Sequence, residues 1–583
     1  MGLIQKWADG FKPAEASGFG RDPSYGGDFD EQVDQKPEVL GDGDYANAVT
    51  TVQTADGGVA YVPEKTPLKR RLDGRHIQFI ALGGGIGTGL FIGSASSLST
   101  AGPAFLIADF IIMGLMLMCV IFALGELACV LPVSGAFSTY ASRFVDPAWG
   151  FAAGWNYYLQ WLIVAPLEFT AATIVIKFWD KNEVVPKGIW IMIFILVITT
   201  INLFGVRGYA EFEFVATFIK VITVIGLIFA LIVIDCGGVV GGPGYMGAHV
   251  WHDPGAITNG FKGFCTVFTN AAFAFAGSEL VGLAAAETKT PRKVLPKAAR
   301  QIVFRIVVFY VLSLFLVSLI VPYDDPRLTS ATGQSYDPNT SPFVIALQIG
   351  RIKGLPHIVN AVIIISTLSV ANSAVYASSR TLLALAEQNF APRIFRMVDR
   401  EGRPLPATIL SLLFCLLAFL IYSASEGTIF GWMLQISGLS TIFTWGSVCI
   451  SHIRFRMAWK YQGHSLRELP WASPLGIVGS VVGLVMNIIV IAANIYVGAA
   501  PIGEGDETPK DRAYDFFNAN ISLLVLIFSF IGYKLIKRTR YVRLQDIDIH
   551  TGRRDPVSEE VLEQERAEAR ARPLWKKIVT TIF

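Results

Sequence analysis

Two short stretches hold the residues best suited to chemistry. Gly83-Gly84-Gly85-Ile86-Gly87-Thr88-Gly89 places five glycines among seven residues inside an apolar run. Glycine is a poor helix former, so this run should unwind a helix locally. Unwound backbone offers free N–H groups and the positive end of a half-helix, a natural carboxylate site. The alternative is close helix packing, because Gly85 and Gly89 also make a small-xxx-small pair. A phosphate loop is a poor match, since no strand precedes the glycines. The second stretch, Phe273-Ala274-Phe275-Ala276-Gly277-Ser278-Glu279, sets a carboxylate close behind a glycine deep in another apolar run. Carbonyls freed there could accept the ammonium of a substrate. A Glu that merely pins its helix to a neighbour is the alternative reading.

Ionisable residues inside apolar runs are expensive and usually functional. Lys220 sits ten residues into such a run, as a proton-coupling group or a stand-in for a bound cation. Snorkelling to the interface is the bland account of it. Glu126 and Glu168 are each candidate proton sites or structural carboxylates. Asp109 lies near one end of its run and could face headgroups. Gln160, Ser369 and Ser437 are neutral, cheap to bury when hydrogen-bonded, and uninformative singly. Five of the six cysteines, Cys119, Cys129, Cys265, Cys415 and Cys449, lie in apolar runs as small hydrophobes. No CxxC or His/Cys spacing points to a metal, no motif points to a cofactor, and no Ser/His/Asp elbow points to an enzyme.

The elements that must position these residues follow from composition. Of 583 residues, 52% are hydrophobic and only 16% charged, against about 25% charged in soluble chains. A net charge of +2 gives no basic field for nucleic acid. A spanning helix needs about 20 apolar residues. Twelve segments qualify: 77–98, 104–131, 148–176, 188–206, 211–235, 261–284, 302–321, 355–383, 405–424, 427–451, 474–498 and 516–536. The expected fold is an all-α polytopic membrane protein. Lys and Arg crowd the stretch before the first segment and those after the sixth, eighth, tenth and twelfth, which places both tails in the cytoplasm. The Asn339-Thr340-Ser341 sequon then falls on the outer side, followed directly by Pro342. The breaks near Gly85 and Gly277 are 192 residues apart, heading segments 1–5 and 6–10. Five helices is an odd number, so the second set runs inverted. Inverted repeats headed by broken helices mark secondary transporters.

With these residues assembled, the chain resembles the fungal plasma-membrane amino-acid permeases of the amino acid–polyamine–organocation superfamily. The resemblance runs from about Arg75 into the C-terminal tail. It rests on Arg75-His76-Ile77-Gln78, the glycine run at 83–89, Ala-Leu-Gly-Glu-Leu-Ala at 123–128, Trp251-His252-Asp253-Pro254-Gly255, Phe-Ala-Gly-Ser-Glu-Leu-Val-Gly at 275–282 and Ser451-His452-Ile453-Arg454-Phe455-Arg456. Ile547-Asp548-Ile549-His550-Thr551-Gly552-Arg553-Arg554 points to the general-permease branch. It implies a leucine-transporter-like five-plus-five fold with two extra helices, and proton-coupled import of L-amino acids. It further implies that Gly85, Ile86, Thr88 and Gly89 hold the substrate's carboxylate and amine. Phe273 would cover the pocket with Ala274 and Phe275 beside it, and Ser369 and Val370 would line it. Gln160 and Ser437 would help set side-chain preference. Lys220 and Glu168 match positions implicated in transport, with Glu126 and Glu279 as further proton candidates. A fixed Lys220 charge would compete with sodium, which favours protons as the coupling ion.

The expected organisation is an acidic cytoplasmic tail (1–75), the transport core (76–452), segments eleven and twelve with their loops (453–536) and a regulatory cytoplasmic tail (537–583). Residues 1–64 carry twelve acidic and four basic side chains and should be disordered. The resemblance implies Lys6 and Lys12 as ubiquitin acceptors, with ubiquitin-ligase and arrestin-type adaptors as partners and membrane lipids around the core. Asp555-Pro556 reads as the start of a charge-laced helix. A narrow permease for proline or basic amino acids, and a non-transporting amino-acid receptor, are the rival readings.

Overall fold

The computed structural model describes residues 51–53, 59–61, 68, 71–328, 341–423, 426–502, 509–553 and scattered positions from 561 to 573. Lys6, Lys12, Asn339 and the Asp555-Pro556 helix start lie outside the described residues. Within the stretch expected to lack regular structure, β1 (Thr51–Gln53) and β2 (Val59–Tyr61) pair antiparallel, with Thr51 opposite Tyr61.

Among the described residues, ten helices are long and apolar enough to cross a membrane. Helices suit that solvent because each satisfies its backbone internally. The core begins with a broken helix, α1 (Gly74–Gly83) and α2 (Thr88–Phe91). Next comes α3 (Gly93–Val130), which turns a corner at Gly102, where φ is 81° and ψ is 169°. Segments expected to be separated by a loop at 99–103 are thus joined by a corner. Gly102 reaches a φ that side chains avoid, and Pro103 cannot donate across the bend. After α4 (Ala136–Phe144), α5 (Pro147–Ile176) starts at Asp146, whose Oδ1 accepts from Ala148 N at 2.8 Å. The shorter apolar α6 (Lys187–Leu203) turns at Gly205 into α7 (Gly205–Asp235).

The second broken element is α8 (Gly260–Phe275), interrupted at 276–279 and resumed for one turn at Leu280–Leu283. Then follow α9 (Pro291–Arg305, continued by wider turns to Leu312 and by α-helix to Ile320), α10 (Leu355–Glu387), α11 (Leu405–Phe414), α12 (Glu426–Tyr461), α13 (Gly476–Ala499) and α14 (Pro509–Lys537). The centre is built where α10 and α12 lie along α5 and where α8 lies along α3. The outer faces of α7, α13 and α14 stay apolar and open, as Phe229, Val478 and Phe528 show; lipid is the solvent for such a surface.

One expected boundary is corrected. The division at 452/453 falls inside α12, which continues to Tyr461. Charges ended the apolar count there, but protein satisfies them. Arg456 Nε and Nη2 each donate to Glu126 at 2.5 Å, and Arg454 Nε donates to Phe144 O at 3.0 Å. The following tail is packed at its start. Val542 N donates to Val145 O at 3.0 Å, Gln462 Nε2 to Ile547 O at 2.8 Å and Arg143 Nη1 to Thr551 O at 2.6 Å, while Ile547 and Ile549 are buried. Lys534 and Thr539 both reach Asp146. Burial pushes the Asp146 carboxyl up, but these donors outweigh it and hold its pKa below the ordinary value.

Candidate functional site

The two helix breaks meet back to back. A Cβ added at Gly277, where φ is +91°, would lie 2.5 Å from Gly84 O, and one at Gly89 would lie 2.4 Å from Ala274 Cα. Only glycine allows both the backbone conformation and the approach at 277. The contact leaves a small cavity of about 10 Å³ lined by Gly84, Gly85, Gly87 and Gly89 of the first break, Phe273 and Ala276 of the second, Trp161, Val164 and Glu168 of α5, and Val370 of α10. That is room for roughly one water. A larger guest requires Phe273, Val370 or Trp161 to move.

Around this cavity the half-helix ends are held by side chains. Arg305 Nη1 donates to Ala81 O at 2.9 Å and its other nitrogen reaches Ser278 Oγ, so one buried guanidinium ties both breaks. The Tyr310 hydroxyl lies 2.5 Å from Gly85 O and 2.8 Å from Ala274 O, bridging them again. Ser366 Oγ donates to Ile86 O at 2.6 Å. On the other side, Lys220 Nζ donates to Gly83 O at 3.1 Å and to Ser369 Oγ at 2.8 Å. Two cations thus face the C-terminal carbonyls of α1, where the helix dipole favours positive charge.

The predicted residues separate into groups. Gly85, Gly89, Phe273, Val370 and Glu168 line the cavity. Thr88 and Ile86 adjoin it but are already engaged. Thr88 Oγ1 donates to Glu168 Oε1 at 2.7 Å, and Ile86 O is taken by Ser366. Glu168 Oε2 is buried with no hydrogen-bond partner among the described residues. Ala274 supplies backbone to the break, while Phe275 packs on Phe110 and Tyr310. Ser369 lies between Lys220 and Glu213 rather than on the cavity wall. Gln160 Nε2 donates to Thr441 Oγ1 at 2.8 Å, and Thr441 in turn donates to Ser437 O at 2.9 Å. Gln160 Oε1 and Ser437 Oγ stay without a partner among the described residues. Glu279 accepts from Gly277 N at 3.2 Å and from Trp445 Nε1 at 3.4 Å, pinning its own break to α12. Glu126 is not brought to this site. It is clamped by Arg456, lies 3.2 Å from His452 Nε2, and accepts from Ser473 N at 2.6 Å.

Sequence reasoning passed over Glu213, Arg305, Tyr310 and Ser366. Glu213 and Arg305 stand near the ends of their apolar segments, where a charge faces headgroups as readily as protein. The available signal was spacing: Glu213 and Lys220 are seven residues apart, two turns along one face of α7.

At the end of α1 opposite the break, the chain is latched. Leu72 N donates to Glu287 O at 3.1 Å, and Lys289 N to Leu72 O at 3.2 Å. Asp73 pairs with Lys289 at 2.8 Å, and that hydrogen bond holds its carboxyl below the ordinary value of 3.8. Arg75 reaches Glu211 at 2.7 Å.

Comparison with known proteins then places the chain. The family model described as amino acid permease matches residues 76–545. The chain belongs to the amino acid permease family. The general amino-acid permease of Saccharomyces cerevisiae is 49% identical over 533 residues, covering 89% of this chain and 86% of that protein. The general amino-acid permease of Candida albicans is 47% identical over 529 residues, covering 89% and 88%. A protein named cationic amino acid transporter 1 from Schizosaccharomyces pombe is 46% identical over 520 residues, covering 88% and 86%. A solved manganese transporter from Eremococcus coleocola superposes with a TM-score of 0.48 at 13% identity, over 80% of this chain and 94% of that one. This permease is accordingly a multi-pass membrane transporter of amino acids and not an enzyme.

Proposed function

We propose that this permease imports L-amino acids with protons across the plasma membrane, with broad specificity, by alternating access around the paired helix breaks. The observation that carries this reading is the contact of the two breaks around a cavity with glycine backbone on one wall and Glu168 on another. A zwitterion needs donors for its carboxylate and acceptors for its ammonium at one point. Gly84 N and Ile86 N are used within the chain, so the N–H groups of Gly85, Gly87 and Gly89 suit the first, and carbonyls at 273–276 with Glu168 suit the second. Gly85, Ile86, Thr88, Gly89, Phe273, Ala274 and Phe275 form the backbone site on this reading, with Val370 and Ser369 beside it. Gln160 and Ser437, joined through Thr441, lie toward the side chain. The cavity's other side chains, Trp161, Val164, Phe273 and Val370, are apolar or aromatic and choose by size rather than charge, which supports a broad range.

The ten long helices, α6 and the broken first element make twelve crossings on this reading, arranged as a five-plus-five inverted repeat plus two. Both tails are then cytoplasmic, where inside-negative potential favours proton entry by about 2.3 kcal/mol per charge per 100 mV. Lys220 buried against Gly83 is the proton-coupling group, with Glu168 at the substrate. Glu279 and Glu126 are less suited, since each is engaged in holding helices together. The tails take ubiquitin at Lys6 and Lys12 through ubiquitin-ligase and arrestin-type partners, and anionic lipids meet the basic loops. Competition by each of the standard amino acids for labelled uptake in permease-deficient cells tests the range. Inhibition by most of them is expected. Inhibition by proline alone, or by basic amino acids alone, would establish the narrow reading, and absence of any uptake from surface protein the receptor.

A further inference from the structure

We propose that Glu213 is the proton acceptor for Lys220, reached through the Ser369 hydroxyl, and that this transfer releases α1. The inference rests on the proton-coupled reading above. The geometry is a directed chain. Lys220 Nζ donates to Ser369 Oγ at 2.8 Å, and Ser369 Oγ donates to Glu213 Oε2 at 2.6 Å. The direct approach of Nζ to Glu213 Oε1 is longer, 3.9 Å. All three side chains are fully buried. Every hydrogen bond points from cation to carboxylate, so one concerted shift moves a proton along it. Ser369 takes a proton from the ammonium at Oγ and gives its own hydroxyl proton to Glu213 Oε2. The ammonium becomes an amine, the carboxylate becomes a carboxylic acid, and serine is regenerated.

Two further contacts show what the shift does. Lys220 Nζ also holds Gly83 O, at the C-terminal end of α1. Arg305 holds Ala81 O two residues back from the same end and is permanently charged. When Lys220 becomes a neutral amine, its charge-assisted bond to Gly83 O weakens while the Arg305 bond stays. The lost contact is one that fixes α1 to α7. Beyond Glu213 the polar chain continues along α7 and α10, away from the breaks. Ser373 Oγ lies 3.4 Å from Glu213 Oε2, and Tyr209 Oη lies 3.3 Å from Ser373 Oγ. The Tyr209 ring stacks on Tyr376 at 4.2 Å, and Tyr376 Oη reaches Glu287 Oε1 at 3.3 Å beside Arg380. Glu287 is also the residue whose carbonyl latches Leu72. The groups that face Lys220 are therefore Glu213 on its own helix, Ser369 of α10, Glu168 of α5 and Arg305 of α9. Of the two carboxylates, Glu168 is engaged by Thr88 at the substrate cavity. Glu213 alone is hydrogen-bonded into the Lys220 chain.

The test uses the full chain purified into liposomes, with a labelled mixture of L-amino acids. Two rates are read: accumulation driven by an imposed pH gradient, and exchange against the same amino acids trapped inside. For Glu213→Gln the ratio of accumulation to exchange is expected to fall at least tenfold, with Glu213→Asp recovering most of it. A Glu213→Gln ratio within twofold of wild type overturns the relay. So does a Glu213→Asp protein that loses accumulation and exchange together, because that is a structural loss. If Glu213→Gln does not reach the membrane, Ser369→Ala severs the same chain and is compared with Ser369→Thr, which keeps the hydroxyl. The same ratio decides: equal values for Ala and Thr overturn the relay. A wild-type protein with no pH-driven accumulation rejects the proton-coupled function itself, a result distinct from any failure confined to Glu213.

Discussion

Two buried charge clusters, around Glu126 and around Lys220, look alike in sequence and differ in structure. Glu126 receives both Arg456 nitrogens at 2.5 Å, with His452 Nε2 at 3.2 Å and Ser473 N at 2.6 Å. Its oxygens have several donors, and all lie on α12 or the loop after it. That is a clamp between α3 and α12. Lys220 is 3.9 Å from Glu213, connected by one hydroxyl, and its other bond goes to the broken helix. One arrangement resists change and the other has a proton to move and a helix end to release. A buried charge is therefore read from what it holds, not from its depth alone.

The largest effect should come from breaking the clamp. Arg456→Met leaves the buried Glu126 without its ion-pair partner, with only His452 and the Ser473 N–H beside it, and breaking a buried pair costs about 3–5 kcal/mol. The expected result is loss of folded protein at the surface, measured by thermal stability of the detergent-extracted protein, whichever substrate is tested. Next comes the contact between the breaks. Gly277→Ala adds a Cβ 2.5 Å from Gly84 O at a φ of +91°, and backbone strain of this kind costs about 1–3 kcal/mol. Uptake per surface molecule should fall more than tenfold, while surface abundance falls less than for Arg456→Met. If the two variants showed the same pattern, the contrast between scaffold and moving site would collapse.

Much of this contrast was legible in the residues alone. The glycine run at 83–89 and the break at Gly277 stood out because glycine weakens a helix, so a cluster of it inside an apolar run marks unwound or closely approached backbone. Lys220 was visible because it stood mid-run. Glu213 and Arg305 were not, because a charge near the end of an apolar segment is ambiguous until the fold shows whether lipid or protein surrounds it. The extent of α12 was hidden for the same reason, since Arg454 and Arg456 looked like a helix end while protein acceptors awaited both. The role of Tyr310 depends on two carbonyls that lie 225 and 36 residues away in sequence, which no local pattern reports.

The smallest effect belongs to the exposed latch. Asp73 and Lys289 are 49% and 57% exposed, and such pairs contribute about 0.2–1 kcal/mol. The Asp73 carboxyl is held below 3.8 by Lys289. Its contribution is therefore present above that ordinary value and is lost as pH falls through the lowered one. Lys289→Ala should change uptake less than about fivefold at neutral pH. In detergent its stability difference from wild type should vanish on acidification below the carboxylate range. A difference that grows on acidification would assign the latch to other groups.

The central claim is that Lys220, unlike Glu126, couples protons to transport. It is tested most directly by uptake of labelled amino acids in permease-deficient cells, with and without a protonophore, for wild type and Lys220→Met at matched surface levels. The account predicts accumulation in the wild type that the protonophore abolishes, and loss of that accumulation in Lys220→Met. Wild-type accumulation that survives collapse of the proton gradient, or full protonophore-sensitive accumulation in Lys220→Met, would contradict it.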